Sequence, residues 1–250
     1  MKRVAVMGLG NFGTALACNW VGAGLDVRGW TVEQEVFESI NSAGVNKKYL
    51  SDVSLEGMRV SMDIAETMAE AEIIVLALPS AVILNVVDDI LPYLTNKQIL
   101  LDLAKGLAPG DQMISDVIES KLDTAGLSCG LCAMMGPTIA RELARGVYTT
   151  ALVTSREVML AGQVASALST STLKLSAATD SLGCEYWGAF KNVIALASGV
   201  VDGLKQDGRG GDNLKAAVFT AGYREAVKVL PRVGADPETA LSAAGIGDLF

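Results

Sequence analysis

The sequence contains no histidine, and aromatic residues make up only 5% of its 250 residues. Without an imidazole, a Ser-His-Asp triad and every other mechanism that uses a histidine base are excluded. Any acid–base chemistry must therefore use lysine, carboxylate, tyrosine or cysteine side chains.

Cysteine is also scarce, with four in the chain. Cys129 and Cys132 form a single C-x-x-C, and neither a second pair nor a histidine completes a zinc site. We therefore predict no metal site. We interpret the two cysteines as small buried residues of a strand, with a redox-active pair as the alternative.

Positive charge is in the minority, since 20 lysines and arginines face 28 acidic residues and give a formal net charge of -8. This balance argues against a surface that binds nucleic acid or anionic membranes. No uninterrupted apolar run reaches the roughly 18 residues of a membrane span. The opening "MKRVAVMGLG" lacks the pattern of a secretory signal. We expect a cytoplasmic protein with no membrane span and no nucleic-acid partner.

Short apolar runs alternate with helical patterns over the first 180 residues. The strand-like runs are "KRVAVMGLG", "LDVRGW", "MRVSM", "EIIVLAL", "QILLDLA", "CGLCAMM", "YTTALVT" and "TLKLSA". This alternation predicts an α/β fold with a Rossmann-type, mainly parallel, doubly wound sheet. Beyond Thr179 the patterns are helical only, over 183–204, 212–230 and 237–243. We therefore predict a dinucleotide-binding domain over 1–180 and a smaller all-helical substrate domain over 181–250.

A glycine-rich turn follows the first predicted strand. "GLGNFG" places Gly8, Gly10 and Gly13 in the spacing G-x-G-x-x-G, directly before a predicted helix. In this context Gly8 permits a tight turn, Gly10 lets a pyrophosphate approach the backbone, and Gly13 allows close packing of helix and strand. The turn predicts binding of NAD or NADP.

The end of the second predicted strand bears on the choice between the two cofactors. An acidic residue about 20 residues after the motif favours NAD, because it accepts hydrogen bonds from the adenine ribose. Glu33, just beyond "GWTV", can fill this role or can be an ordinary acid of the first helical turn. The sequence thus mildly favours NAD.

Three further strand ends carry residues suited to a ligand. They are Pro79-Ser80, Lys105-Gly106 and Gly136-Pro137-Thr138. Ligands of doubly wound sheets bind beyond the carboxyl ends of the strands, so we expect these turns to face one crevice. Lys105 is the cation that would meet an anionic substrate there.

Two polar residues interrupt the helical stretch "EYWGAFKNVIALASG", which is otherwise small or apolar. Lys191 and Asn192 lie in its middle. A lysine in apolar surroundings is a candidate proton donor and acceptor, because burial disfavours the charged ammonium. We therefore predict that Lys191 is the catalytic residue.

These motifs resemble those of the NAD(P)-dependent glycerol-3-phosphate dehydrogenases of the bacterial soluble type. The matching pieces are "GLGNFGTALA", "NKKYL", "LPS", "AKG", "MGPTIARE", "GCEYWGAFKNVIALASGVVDGL", "DNLKAA" and "AGIGDL". The resemblance implies interconversion of sn-glycerol 3-phosphate and dihydroxyacetone phosphate, in glycerophospholipid metabolism. It makes Lys191 the proton donor and acceptor.

The resemblance also implies the remaining site residues. Those expected to bind the small phosphorylated substrate are Lys105, Gly136, Thr138, Asn192 and Asp248. Those expected to bind the dinucleotide are Gly8, Gly10, Asn11, Phe12, Gly13, Pro79, Ser80, Lys105 and Ala140.

The chain departs from the family pattern near its end. Relatives continue past "G-x-G-D-L" into a Ser-Arg-Asn stretch that helps to bind the substrate phosphate, whereas this sequence ends at Phe250. We expect either a fragment or a short relative, with an incomplete phosphate site. Two other functions stay open: a different two-domain dehydrogenase that acts on hydroxy acids or ketopantoate-like substrates, and a nucleotide-binding protein without catalysis. A homodimer is one assembly that the small-residue helices permit.

Overall fold

A computed structural model describes residues 3–249, and eight of its strands form one sheet. The sheet strands are β1 (Arg3–Met7), β2 (Asp26–Trp30), β3 (Arg59–Ser61), β4 (Ile73–Leu76), β5 (Ile99–Asp102), β8 (Gly130–Met135), β9 (Thr149–Thr154) and β10 (Leu173–Ala178). Their order is β10-β9-β8-β5-β4-β1-β2-β3. Neighbouring strands in the described sheet run parallel, except β8 and β9, which are antiparallel.

Helices connect the strands and then form the rest of the chain. They are α1 (Asn11–Gly22), α2 (Gln34–Ala43), α3 (Ile64–Met68), α4 (Ile83–Ile90), α5 (Ile114–Thr124), α6 (Ala140–Ala144), α7 (Val158–Leu168), α8 (Ser181–Gln206) and α9 (Asp212–Val229). Short 3-10 helices lie at Leu91–Tyr93, Leu230–Val233 and Pro237–Leu241, and a π-helical turn lies at Ala243–Gly247. The α/β class, the Rossmann-type sheet and the helical C-terminal part are confirmed.

The apolar strands are continuous because both faces of the sheet are covered. In β1, Val4 and Val6 pack into a core with α1, whereas Ala5 and Met7 pack into a second core with α4 and α5. Trp20 of α1 is fully buried in the first core, and its indole N–H donates to the carbonyl of Leu168 at 3.0 Å. The loops at the carboxyl edge therefore start from a sheet that is packed on both faces.

A third core holds the C-terminal helices together. Trp187 of α8 is buried against Tyr223 of α9, with ring centroids 5.2 Å apart, and Leu230 and Ala240 complete the cluster. Since α8 starts at Ser181, directly after β10, the switch from strands to helices falls where the sequence predicts it. The division into domains at residue 180 stays a prediction.

Several local features differ from the sequence-based expectations. Two-residue strands β6 (Leu107–Ala108) and β7 (Gln112–Met113) pair as a small hairpin, which no alternation pattern of that length can indicate. The segment predicted as a helix over 237–243 is a 3-10 helix that ends at Leu241. The apolar stretch around Lys191 is only partly buried, since Val193, Leu196 and Val200 are 65%, 74% and 60% exposed.

Candidate active site

The glycine-rich turn joins β1 to α1 in the geometry that its spacing predicts. Gly8 has φ +101°, and a Cβ atom there would lie 2.5 Å from the carbonyl oxygen of Ala77. A Cβ atom at Gly13 would overlap the carbonyl oxygen of Gly8. Glycine is therefore required at both positions, by backbone conformation at the first and by close packing at the second.

Open space lies above the same turn. Apart from Gly10 itself and its neighbours in the chain, no described heavy atom lies within 4 Å of the position that a Cβ atom of Gly10 would take. Gly10 is the N-cap of α1, and no side chain among residues 3–249 caps this helix or places a carboxylate in its first turn. Free backbone N–H groups at a helix start attract anions, so the cradle fits a pyrophosphate. Asn11 is exposed here, while Phe12 packs against the core.

The predicted strand-end turns lie beside this cradle. Ala77, which follows β4, donates its N–H to the carbonyl of Met7 at 2.9 Å. Pro79 and Ser80 come next, and a Cβ atom at Gly106 would lie 3.0 Å from the Ser80 hydroxyl oxygen. The loops after β1, β4 and β5 thus meet at one edge, where strand order reverses around β1, as ligand crevices of such sheets require.

Asp248 brings the two predicted lysines together. Its side chain is 1% exposed and accepts an ion pair from Lys105 Nζ on Oδ2 at 2.5 Å. Its other oxygen, Oδ1, is ion-paired with Nζ of Lys191. One buried carboxylate therefore holds the ammonium groups of the β5 loop and of α8 side by side.

The remaining predicted substrate residues surround this pair. Lys105 Nζ also donates to the carbonyl of Gly136 at 2.9 Å, and the hydroxyl of Thr138 donates to the same carbonyl at 3.3 Å. The side-chain amide of Asn192 donates to the backbone carbonyl of Lys105 at 2.8 Å. The structure thus brings together all the residues that the sequence assigned to substrate and proton transfer.

Lys105 has an unusual electrostatic environment. Burial lowers the pKa of its ammonium group, and the charge of Lys191 adds to that effect, while Asp248 opposes it. A lysine with a lowered pKa can shed or share a proton near neutral pH more easily than a solvated one.

Two buried carboxyl groups, which precede the two lysines in the chain, were not predicted from the sequence. Asp102 ends β5, is fully buried, and accepts the N–H of Ala104 on Oδ1 at 2.8 Å. Burial raises its pKa to about 7, with a smaller contribution from the charge of Glu185. Glu185 of α8 accepts the hydroxyl of Ser181 at 3.1 Å and bonds to Ser115, and burial raises its pKa as well. The only sequence signal for Asp102 is an acid that closes the apolar run "ILLD".

The cysteine pair agrees with the structural interpretation. Cys132 lies in β8 and Cys129 just before it, both are buried, and all four cysteines are free within residues 3–249. Burial raises the pKa of the Cys132 thiol to about 11, which keeps it in the unreactive thiol form.

Comparison with known proteins tests the family resemblance. The sequence profile described as NAD-dependent glycerol-3-phosphate dehydrogenase N-terminus matches residues 3–161, and that of the C-terminus matches residues 180–250. The chain belongs to the NAD-dependent glycerol-3-phosphate dehydrogenase family. Ala140, which the resemblance assigns to the dinucleotide, is the first residue of α6 and packs against the core beside α1.

Individual members of the glycerol-3-phosphate dehydrogenase family align over the whole chain. The Glycerol-3-phosphate dehydrogenase [NAD(P)+] of Bacillus subtilis is 32% identical over 252 residues, which span 100% of this chain and 72% of that protein. The protein of the same name from Macrococcus caseolyticus is 35% identical, over 100% of this chain and 74% of that protein.

Solved structures show the same relationship. The glycerol-3-phosphate dehydrogenase of Coxiella burnetii superimposes with a TM-score of 0.91 at 28% identity, over 99% of this chain and 74% of that one. A ketopantoate reductase of Ralstonia eutropha gives a TM-score of 0.68 at 15% identity, over 96% of this chain and 78% of that one, which is a likeness of fold alone.

Two further findings bear on what the chain contains. Among residues 3–249, no group of three or more cysteine or carboxylate side chains is placed to hold a metal ion. Within the same residues, no helix combines the length and the apolar character needed to cross a bilayer.

Proposed function

We propose that the protein interconverts sn-glycerol 3-phosphate and dihydroxyacetone phosphate with NAD or NADP. The observation that carries this proposal is the pair of lysines, Lys105 and Lys191, on one buried carboxylate beside the glycine-rich cradle. The relatives aligned over the whole chain are named for this reaction. The proposal extends to a role in phospholipid biosynthesis.

The dinucleotide would be held by the cradle and by the neighbouring strand ends. The residues proposed for it are Gly8, Gly10, Asn11, Phe12, Gly13, Pro79, Ser80, Lys105 and Ala140. When bound there, it supplies the hydride-transfer chemistry, while the protein positions the substrate and moves the proton. The open space above Gly10 supports this assignment.

Lys191 is proposed as the general acid and base. In the oxidation of glycerol 3-phosphate, neutral Lys191 takes the hydroxyl proton at Nζ, and in the reduction the ammonium returns a proton to the carbonyl oxygen. Asp248 holds the Lys191 side chain in place, because its carboxylate accepts a hydrogen bond from Nζ. Asn192 fixes the loop that carries Lys105, since it donates to the Lys105 carbonyl.

Lys105 is proposed to bind the reacting oxygen of the substrate, together with Gly136 and Thr138. Its hydrogen bond to the Gly136 carbonyl places the ammonium at the end of β8 as well as β5. The lowered pKa of Lys105 favours a second assignment, in which Lys105 moves the proton and Lys191 binds the oxygen. Variants of the two lysines distinguish these assignments.

Replacement of Lys191 by alanine tests the proton-transfer role. Because a positioned acid–base group contributes about 10²- to 10⁴-fold, kcat of Lys191→Ala should fall by that factor. NADH affinity, measured by fluorescence titration, should not change. Lys205→Ala, which removes an exposed lysine from the last turn of the same helix, is the control and should leave both quantities as they are.

The outcome for Lys105→Ala decides between the two lysines. We expect mainly a higher KM for the substrate. Turnover that survives in Lys191→Ala but is lost in Lys105→Ala would reverse the roles. NADH binding without turnover in the unmodified protein would instead support a nucleotide-binding protein without catalysis.

We also propose a cytoplasmic location, a homodimer and no nucleic-acid partner. The free cysteines support a reducing compartment. The exposed stripe of Val193, Leu196 and Val200 on α8 supports self-association, because apolar side chains in a row gain free energy when they are covered. The net charge of -8 disfavours nucleic-acid phosphates.

A further inference from the structure

Glu33 lies just beyond the end of β2, the strand that pairs with β1. It is the N-cap of α2. The end of β2 is tied to the glycine-rich turn, since Gly8 donates its N–H to the carbonyl of Trp30 at 3.0 Å. An acid at this point of a dinucleotide-binding unit lies within reach of the adenine ribose hydroxyls.

A second segment, residues 46–50, is fixed against the same turn. Asn46 is fully buried, and its side-chain amide donates to the carbonyl of Leu9 at 2.9 Å and to the hydroxyl of Thr14 at 2.8 Å. Leu9 belongs to the glycine-rich turn, and Thr14 belongs to the first turn of α1. Asn46 therefore sets where the next residues, Lys48 and Tyr49, can place their side chains.

Lys48 and Tyr49 both bind the carboxylate of Glu33. Lys48 Nζ lies 2.5 Å from Oε2, and the hydroxyl of Tyr49 donates to Oε1 at 2.8 Å. The Glu33 N–H donates to the hydroxyl oxygen of Thr31 at 3.1 Å, which fixes the backbone as well. The hydrogen bonds from Lys48 and Tyr49 lower the pKa of Glu33, so the carboxylate is ionised at neutral pH.

The charge of this cluster is negative. Lys48 is also ion-paired with Glu35, so a single ammonium group is shared by two carboxylates. One positive and two negative charges leave the cluster at -1. A phosphate that approached Lys48 would also approach both carboxylates, and their two negative charges would repel a phosphate dianion.

We propose that Glu33, held by Lys48 and Tyr49, selects NAD over NADP. Its carboxylate accepts hydrogen bonds from the ribose hydroxyls of NAD, and its charge repels the 2′-phosphate of NADP. This inference rests on the dinucleotide binding of the proposed function and specifies which dinucleotide is used.

Binding measurements test the inference without any need for turnover. Dissociation constants for NADH and NADPH are measured by fluorescence titration at low salt for the full chain and its variants. A hydrogen-bonding carboxylate opposite a phosphate should give the unmodified protein at least a roughly tenfold preference for NADH. Glu33→Gln, which keeps the shape and removes the charge, should reduce the preference to near unity.

A matched control tests whether the effect depends on where the negative charge lies. Glu38→Gln removes the same charge from the exposed face of α2, where Glu38 accepts a hydrogen bond from Gln34. It should leave the ratio of the two dissociation constants unchanged. A second measurement needs no variant: added salt should reduce the preference of the unmodified protein, since Glu33 and Lys48 are 30% and 41% exposed and therefore screened.

Distinct results would overturn the inference. A preference of the unmodified protein for NADPH, or an unchanged ratio in folded Glu33→Gln, removes Glu33 as the selecting residue. Selective loss of NADPH affinity in Lys48→Met would show that Lys48 binds the phosphate instead. If neither dinucleotide binds the folded protein, the proposed function fails too, whereas NADH binding without selection by Glu33 leaves the proposed function intact.

Discussion

Among single residues, Asp102 is a carboxyl group that is fully removed from solvent. It is fully buried at the end of β5, and its Oδ2 has no hydrogen-bond partner among residues 3–249. Its other oxygen holds the N–H of Ala104, next to Lys105. A carboxyl group in such a position favours its neutral form, which explains the raised pKa of about 7.

This pKa predicts how stability changes with pH. Asp102 is more easily protonated in the folded protein than in the unfolded chain. Its contribution to stability is therefore complete below about pH 4 and is lost as pH rises through about 7. Asp102→Asn keeps an oxygen for the Ala104 N–H but cannot ionise. Compared with the unmodified protein, this variant should therefore have a higher urea midpoint at pH 8 relative to its midpoint at pH 4. Asp89→Asn, at an exposed position of α4, should not.

Single residues also show the limits of sequence-based prediction. Lys191 stands out because a lysine interrupts an apolar helix, and Lys105 because it follows a strand. The signal for Asp102 is weaker, an acid at the end of an apolar run, because its importance comes from burial that only the folded backbone creates. Lys48 gives no such signal, because its partner Glu33 is distant in the chain.

At the scale of elements, the β1–α1 connection uses one glycine for close packing and another for the approach of a ligand. Gly13 faces the carbonyl of Gly8, while the space beyond Gly10 is open and its φ of -71° suits any residue. Two glycines three residues apart therefore serve different purposes, one in the core and one at the surface that a ligand approaches.

Alanine at each position tests this separation. Gly13→Ala should destabilise the protein by about 1–3 kcal/mol, because the added methyl group overlaps backbone. Gly10→Ala should leave the urea midpoint nearly unchanged and weaken NADH binding by about tenfold or more, because the methyl group fills the path of the pyrophosphate. Equal effects of the two variants on both measurements would contradict the assignment.

The elements themselves were largely predictable. All eight strands of the main sheet coincide with short apolar runs of the sequence. The runs of β4 and β5 are continuous because both faces of the sheet are covered there. The β6–β7 hairpin was not predictable, since two residues per strand show no period. The exposed side of α8 was also missed, because the composition of a helix does not reveal which of its faces the rest of the fold covers.

On the scale of the whole molecule, α8 carries the site on one side and leaves apolar side chains open on another. Val193, Leu196 and Val200 are spaced by three and four residues, so they lie along one stripe. Trp187, earlier on the same helix, is buried in the third core. The stripe is thus the part of α8 that is available to another copy of the chain.

A charge in the middle of the stripe tests the proposed homodimer. Leu196→Lys should shift the protein from dimer to monomer in sedimentation velocity experiments, because an ammonium group cannot be buried there without a partner. Met159→Lys, at an 80% exposed position on α7, is the matched control and should not change the sedimentation coefficient. A monomer in the unmodified protein at all concentrations would refute the dimer.

The bridge made by Asp248 has a consequence for biosynthesis. The glycine-rich turn proposed to hold the dinucleotide is formed by residues 8–13, whereas the carboxylate that joins Lys105 to Lys191 is contributed by residue 248. A chain emerging from the ribosome can form the β1–α1 turn long before it can align the two ammonium groups. Nascent protein should therefore acquire affinity for nucleotide first, and the capacity for proton transfer only after residue 248 has left the ribosome.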